Sequence, residues 1–382
     1  MTTIVKLAQP PLSLYIHIPW CAKKCPYCDF NSHVTKAIPE GDYVAALMED
    51  LDEELSRADG RDIRSIFFGG GTPSLFSGQA IHRILQETEK KLRFAKDIEI
   101  TLEANPGSVE QQKFLDYRSA GINRLSIGVQ SFNQDHLEKL GRIHSNNEAI
   151  LAADSARKAG FDNFNIDLMH GLPNQSKVQA LEDIQKAIGL QPTHISWYQL
   201  TIEPNTVFFN SPPLLPSDDN LADIQESGER LLKEHSYHQY EVSAFSKNSQ
   251  RSKHNMNYWL FGDYIGIGAG AHGKWTDAKS SVIERNWKTR IPKDYLNPNK
   301  PFRAGRKLLD DKELPLEFMM NALRLNHGFE KRTFTENTGL EYTAIESTIA
   351  QLKERNLILE EGSRIYPSDL GRRFLNDMLT AF

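Results

Sequence analysis

The stretch Leu12-Ser-Leu-Tyr-Ile-His-Ile-Pro-Trp-Cys-Ala-Lys-Lys-Cys-Pro-Tyr-Cys-Asp-Phe30 decides how this chain is read. Its first seven residues form an apolar run of strand length. A loop carrying Cys21, Cys25 and Cys28 follows. Near-continuous apolar strands belong to parallel sheets covered on both faces. The same rhythm extends outward. Ser65–Gly69, Ile98–Ala104, Arg124–Gln130, Asn163–Met169 and His194–Leu200 read as further strands, and His238–Ala244 as a seventh. Amphipathic patterns separate them at Asp42–Arg57, Gln79–Leu92, Val109–Ala120, Glu148–Ala159, Lys177–Ile188 and Leu221–Glu234. Strands alternating with helices predict βαβ crossovers. The fold class is therefore α/β, a partial (β/α)6 barrel of the TIM type.

Ile291–Pro301 carries three prolines and reads as a linker. Beyond it Leu314–Leu325, Glu330–Thr338 and Tyr342–Arg355 look helical. Leu357–Glu360 and Arg364–Pro367 look like a hairpin, and Ser368–Leu379 like a last helix. That order suggests a smaller, winged-helix-like α+β domain. The expected division is a barrel domain at 1–245, a connecting segment at 246–295 and a C-terminal domain at 296–382.

The chain has 382 residues, 39% of them hydrophobic and 25% charged, which is a globular composition too long for one core. A net charge of −5 argues against nucleic acid as a partner and favours a cap or partner-binding role for the C-terminal domain. No apolar run approaches the roughly 20 residues of a transmembrane helix, and the N-terminus lacks a signal-peptide core. A cytoplasmic protein is expected.

Only three cysteines occur, all in one loop, so they are not a disulfide framework. C-x3-C-x2-C holds either zinc or an iron–sulfur cluster. Zinc would need a fourth ligand, with His17, Asp29 and His33 at hand. The spacing alone does not separate the two. Polar residues also collect at the strand ends: Gly69-Gly70-Gly71-Thr72-Pro73, Glu103-Ala104-Asn105-Pro106, Gln130-Ser131, His170-Gly171 and Gln199, with Asp167 inside the fifth strand. In parallel β/α folds these ends share one mouth, where ligands bind.

The cysteine spacing with Tyr27, and the triple glycine after the second strand, resemble the cysteine and glycine motifs of the radical S-adenosylmethionine (SAM) superfamily. Tyr15-Ile-His-Ile-Pro19, Gly-Gly-Gly-Thr-Pro, Glu-Ala-Asn-Pro, Gly-Val-Gln-Ser-Phe and Asp-Leu-Met-His-Gly-Leu-Pro together resemble the oxygen-independent coproporphyrinogen III oxidase family, over nearly the whole chain. Two features are similar to its haem-chaperone branch. Phe30 stands where the oxidases carry a further cysteine. His254-Asn-Met-Asn-Tyr-Trp259 matches the haem-associated HNxxYW motif.

The resemblance implies a 4Fe–4S cluster on Cys21, Cys25 and Cys28. It implies SAM contacts from Tyr15, Gly70, Gly71, Thr72 and Glu103, with Gln130, Arg142 and Asp167 matching second-SAM contacts of the oxidases. It implies haem binding by His254, Tyr258 and Trp259. Arg142 is a propionate candidate, and His272, in a glycine-rich stretch, is a second candidate iron ligand. The implied partners are haem and an apo-haemoprotein acceptor, including a membrane-bound respiratory one, with a homodimer as a further expectation. The competing readings are a radical SAM coproporphyrinogen oxidase and a zinc-stapled barrel.

Overall fold

The protein is described by a computed structural model over residues 6–107 and 111–382. Twelve described strands build one large sheet. They are β1 (Leu12–Ile18), β2 (Ile63–Gly70), β3 (Phe94–Ala104), β4 (Arg124–Gln130), β5 (Phe164–His170), β6 (His194–Gln199), β7 (His238–Glu241), β8 (Ala244–Ser246), β9 (Asp263–Ile267), β10 (His272–Asp277), β11 (Val282–Lys288) and β12 (Arg303–Leu308). Their order is β12-β11-β10-β9-β1-β2-β3-β4-β5-β6-β8-β7. From β9 through β6 the strands run parallel. Both flanks are antiparallel and the edges do not meet, so the sheet is an unclosed barrel.

The six expected parallel strands are present. A seventh, β9, lies beside β1 and not at 238–244. The stretch at 238–244 instead enters the β7–β8 hairpin on β6, because a turn of a few residues returns a strand antiparallel. The segment 246–295 contributes helices Lys253–Trp259 and Pro292–Tyr295 and strands β9 to β11. Ile291–Pro301 is folded onto the barrel. Tyr295 is buried there and donates to Asp50 Oδ2 at 2.7 Å.

Helices cover the outer face, several with sequence-legible starts. Ser145 with Glu148, and Ser176 with Gln179, form capping boxes, in which side chains satisfy the first free backbone N–H groups. The helix expected at Val109–Ala120 runs over Phe114–Ala120, while Val109 and Glu110 lie outside the described residues. The main core packs Leu14, Ile16, Ile66, Phe68, Leu102, Ile127 and Ile166 against these helices.

Because strand side chains alternate, the other residues of each strand face the barrel interior. That interior is polar. Ser13 and Ser65 share a 2.7 Å hydrogen bond, Asn165 donates to Ser126 at 2.8 Å, and His194 lies 2.7 Å from Asn165 Oδ1. These groups join in chains of hydrogen bonds across neighbouring strands.

The C-terminal part packs helices Leu314–Ala322, Lys331–Thr338 and Thr343–Glu354 on a three-stranded sheet of Phe329–Glu330, Arg364–Pro367 and Ile358–Glu361. The expected last helix is two short ones broken at Phe374. Its core recruits Leu7, Phe261 and Ile283 from the barrel part, so the two parts share apolar packing. Among the described residues no helix is long and apolar enough to cross a membrane.

Candidate functional site

The mouth forms where β1 to β6 end. β1 runs through Pro19 into the two-residue strand Trp20–Cys21, and the remaining cysteines follow on a loop. β2 ends against that loop. Gly71 N–H donates to the Ile18 carbonyl at 2.7 Å and Thr72 N–H to the Trp20 carbonyl at 2.8 Å. A Cβ on Gly71 would sit 2.5 Å from the Trp20 oxygen, so no side chain fits there. Gly71 therefore has a packing role: it lets β2 lie directly on the cysteine loop.

Hydroxyl and guanidinium donors surround the sulfurs. Thr72 Oγ1 donates to Cys21 Sγ at 3.4 Å, Ser32 Oγ lies 4.0 Å from Cys28 Sγ, and Arg142 Nη1 donates to Cys25 Sγ at 3.9 Å. Burial pushes the Cys21 and Cys28 thiols up, while the Thr72 and Ser32 hydroxyls oppose that shift. Such a donor set suits sulfur that carries charge, as a cluster-bound thiolate does. The loop is pinned from outside. Asn31 Nδ2 donates to the Ala269 and Arg290 carbonyls, each at 2.9 Å. His17 Nε2 lies 2.8 Å from the Asn31 carbonyl, which can only accept, so Nε2 carries the proton and Nδ1 accepts from Tyr15 at 3.0 Å.

Two carboxyls face the same mouth. Burial first, and then the neighbouring Asp167, push the Glu103 carboxyl up to about 8. Burial also raises Asp167, opposed by hydrogen bonds from Ser126, Asn165 and Ser196. The Gly70 N–H donates to Glu103 Oε2 at 3.3 Å. Carboxyls held up in this way favour a cationic ligand, which would restore both to the charged form. Gln130 has φ +69° at a bulge in β4 and accepts from the Tyr198 hydroxyl at 2.6 Å. The bulge turns its side chain toward the mouth.

Arg142 is neither free nor in a surface ion pair. Its Nη2 donates to Asn105 Oδ1 at 2.7 Å and to the Gly128 carbonyl at 2.6 Å. It is a brace between β4, Asn105 and the cysteine loop. Asn31, Asn105 and Ser32 are residues of this site to which the sequence reading gave no role. Asn105 stood inside a quoted motif, and its position at a strand end was the available signal.

The HNxxYW helix lies elsewhere. Ser13 and Ser65 belong to the N-terminal ends of their strands, and His254 Nδ1 lies 3.0 Å from Ser65 Oγ. The helix thus closes the barrel end opposite the cysteines, and through the barrel interior the His254 ring reaches to 6.3 Å from the Tyr15 ring. His254 is 2% exposed. It stacks on Phe67 at 4.9 Å, and its Nε2 lies 3.2 Å from the Tyr258 hydroxyl. Both ring nitrogens are engaged. Burial holds the imidazole neutral, with a pKa pushed down to about 3. Trp259 packs under the Arg324 guanidinium at 4.4 Å. His272, in contrast, is exposed at the start of β10.

Phe30 is 61% exposed beside the cysteine loop. Nothing in its surroundings gives the mouth a fourth thiol, since the chain has three cysteines in all.

The chain is similar to known proteins along nearly its whole length. The radical SAM superfamily model matches residues 15–187, and the HemN C-terminal domain model matches residues 309–374. The chain is 50% identical to a protein named heme chaperone HemW from Haemophilus influenzae, covering 98% of each chain. It is 48% identical to one of the same name from Escherichia coli, covering 99% of each. Among solved structures it resembles the coproporphyrinogen III oxidase HemN from Escherichia coli, described as a radical SAM enzyme, with TM-score 0.82 and 22% identity over 99% of this chain and 91% of that one. At that identity the likeness concerns the fold.

Proposed function

The chain belongs to the radical SAM superfamily and, within it, to the family of relatives named heme chaperone HemW, and from that premise we propose that it binds haem and hands it to apo-haemoproteins. The observation that carries this reading is end-to-end identity of about half the residues with proteins of that name. In this reading Cys21, Cys25 and Cys28 hold a 4Fe–4S cluster, supported by the hydroxyl and guanidinium donors around their sulfurs. Tyr15, Gly70, Gly71, Thr72, Glu103, Gln130, Arg142 and Asp167 surround SAM, whose cationic sulfonium suits the two raised carboxyls. A cluster with SAM would supply one-electron chemistry at this mouth. Arg142 braces Cys25 in this scheme and does not take a propionate.

His254, Tyr258 and Trp259 are the haem-associated set. A neutral imidazole is the form that ligates iron, and the Ser65 contact at Nδ1 is the kind of outer hydrogen bond that orients a ligating ring. For Nε2 to reach iron the Tyr258 hydroxyl must swing away, so haem binding there requires the helix to open. The clustered free thiols suit a reducing, cytoplasmic setting.

The test is an anaerobic titration of cluster-reconstituted protein with haem, followed at the Soret band. Saturation near one haem per chain, with His254→Ala weakening binding at unchanged iron content, supports the reading. Absence of saturable binding together with SAM-dependent turnover of coproporphyrinogen III would replace it by the oxidase reading.

A further inference from the structure

A continuous line of hydrogen bonds runs through the barrel interior from the mouth to the HNxxYW helix. At the mouth end Asp167 accepts from Asn165 Nδ2 at 2.8 Å and, on its other oxygen, from Ser126 Oγ at 2.8 Å. Asn165 Oδ1 lies 2.7 Å from His194 Nδ1, and His194 Nε2 lies 2.7 Å from the Tyr240 hydroxyl. The Tyr240 oxygen accepts from the Ser252 N–H at 3.2 Å. Ser252 is the N-cap of helix Lys253–Trp259, its hydroxyl accepting from the Asn255 N–H at 3.3 Å. That helix turns His254 and Tyr258 into the barrel and Met256 toward the C-terminal part.

Chemistry fixes the direction of this line. Burial holds His194 neutral, so its ring carries one N–H. The Asn165 oxygen only accepts, which places that proton on Nδ1. Nε2 then accepts from the Tyr240 hydroxyl, and the Tyr240 oxygen is left to accept from Ser252. Asn165, His194, Tyr240 and Ser252 are each at most 2% exposed. A member that turns away therefore leaves its neighbour buried without a partner, which is costly. The strands do not need this line to pair, since Asn165 and His194 are already joined through their backbones. What it adds is a tie between two opposite ends of the barrel.

Accepting the SAM and haem readings above, on which this rests, we propose that His194, with Asn165 and Tyr240, is a positioning residue that ties the Ser252 cap of the HNxxYW helix to Asp167, so that a cationic ligand at the mouth keeps the helix closed over His254. A cation there holds Asp167 as a charged acceptor, and a charged acceptor grips the Asn165 amide more strongly than a neutral one. Arg124 and Glu103 are further charged groups that act on Asp167 or feel it. Without the ligand, burial favours a proton on Asp167. The protonated carboxyl donates, and Asn165 must turn its oxygen to meet it. That withdraws the acceptor from His194 and slackens the line as far as Ser252. Coupling of this kind is mutual, so SAM at the mouth and haem at His254 weaken each other by the same factor.

The experiment uses full-length, cluster-reconstituted protein under anaerobic conditions, with SAM as the probe and hydrogen exchange of residues 252–260 as the readout. Saturating SAM is expected to slow exchange there by roughly fivefold, the lower end of ordinary coupling between sites, and to weaken haem binding by the same factor. In Tyr240→Phe, which removes one hydroxyl outside the mouth, SAM still binds, and exchange becomes the same with and without it. A purely structural Tyr240 would instead give faster exchange with the SAM ratio kept, and that result overturns the proposal. Ser252→Ala loses the cap but keeps the N–H of the line, and is expected to exchange faster throughout while retaining the SAM ratio. Wild-type exchange that does not respond to bound SAM overturns the proposal whether or not either variant folds. Protein that takes up no SAM overturns the SAM reading and the tie with it. SAM-dependent protection in protein that binds no haem supports the tie and refutes the haem reading alone.

Discussion

Replacing Glu103 with Gln should make the SAM-free protein more resistant to alkaline pH. The Glu103 carboxyl is pushed from an ordinary 4.5 up to about 8 by burial and by Asp167. The folded state therefore keeps a proton that the unfolded chain releases. The sign follows from linkage. This group's contribution to stability is fully present below about pH 4.5, falls as pH rises toward 8, and is level above that. The slope is about 1.4 kcal/mol per pH unit, so the window from pH 6 to pH 8 carries at most about 2–3 kcal/mol. Glu103 is only half-buried, and solvent screening reduces the figure to roughly 1–2 kcal/mol. Urea unfolding of both proteins at pH 6, 7, 8 and 9 without SAM measures the difference. Wild type should lose that amount relative to Glu103→Gln across the series. SAM, bringing a cation to the carboxyls, should bind wild type more tightly as pH rises from 6 to 8, and bind the variant with little pH dependence. Parallel stability curves together with equal pH dependence of SAM binding would refute the electrostatic reading of the mouth.

Three further outcomes follow from the geometry. Asn31→Ala removes two hydrogen bonds that pin the cysteine loop, and should cost about 1–3 kcal/mol and speed cluster loss in air, followed by bleaching of the cluster absorbance. Lys288→Met leaves Asp50 and Glu54 buried without their ammonium partner, since all three are at most 2% exposed, and should cost about 3–5 kcal/mol in denaturant unfolding. Gly71→Ala puts a methyl 2.5 Å from the Trp20 carbonyl oxygen; iron retained after reconstitution should fall, and full retention would count against the packing described for β2 and the cysteine loop.

β1 and β4 were legible because every second residue is apolar and packs on the covering helices, and both have the bounds expected of them. β9 was not. Its five residues, Asp263–Ile267, contain a glycine and a buried aspartate, and a short mixed run has no period to read. β11 and β12 were hidden for a related reason. Val282–Lys288 and Arg303–Leu308 are charged because Glu284, Lys288 and Arg303 take part in a buried ionic network with Glu54 and Arg57, a role that a charged residue in sequence does not announce. The cysteine loop and glycine turn were visible as motifs. The brace formed by Arg142, Asn105 and Cys25 was not, since it depends on which strand ends meet. The HNxxYW motif was equally visible, yet the sequence did not reveal that its histidine points inward and its Met256 outward. Only the packing of the helix between β1, β2 and the C-terminal part decides that.

Transfer of haem from this protein to an acceptor can be followed by stopped-flow exchange. Cluster-reconstituted protein loaded with one haem is mixed anaerobically with a respiratory apo-haemoprotein, and the Soret band is followed as the acceptor fills, with free haem at equal concentration as the reference. The band is expected to move to the acceptor's position faster than from free haem, with the donor left haem-free and its cluster intact. A donor that keeps its haem, or an acceptor that fills no faster than from free haem, would contradict it.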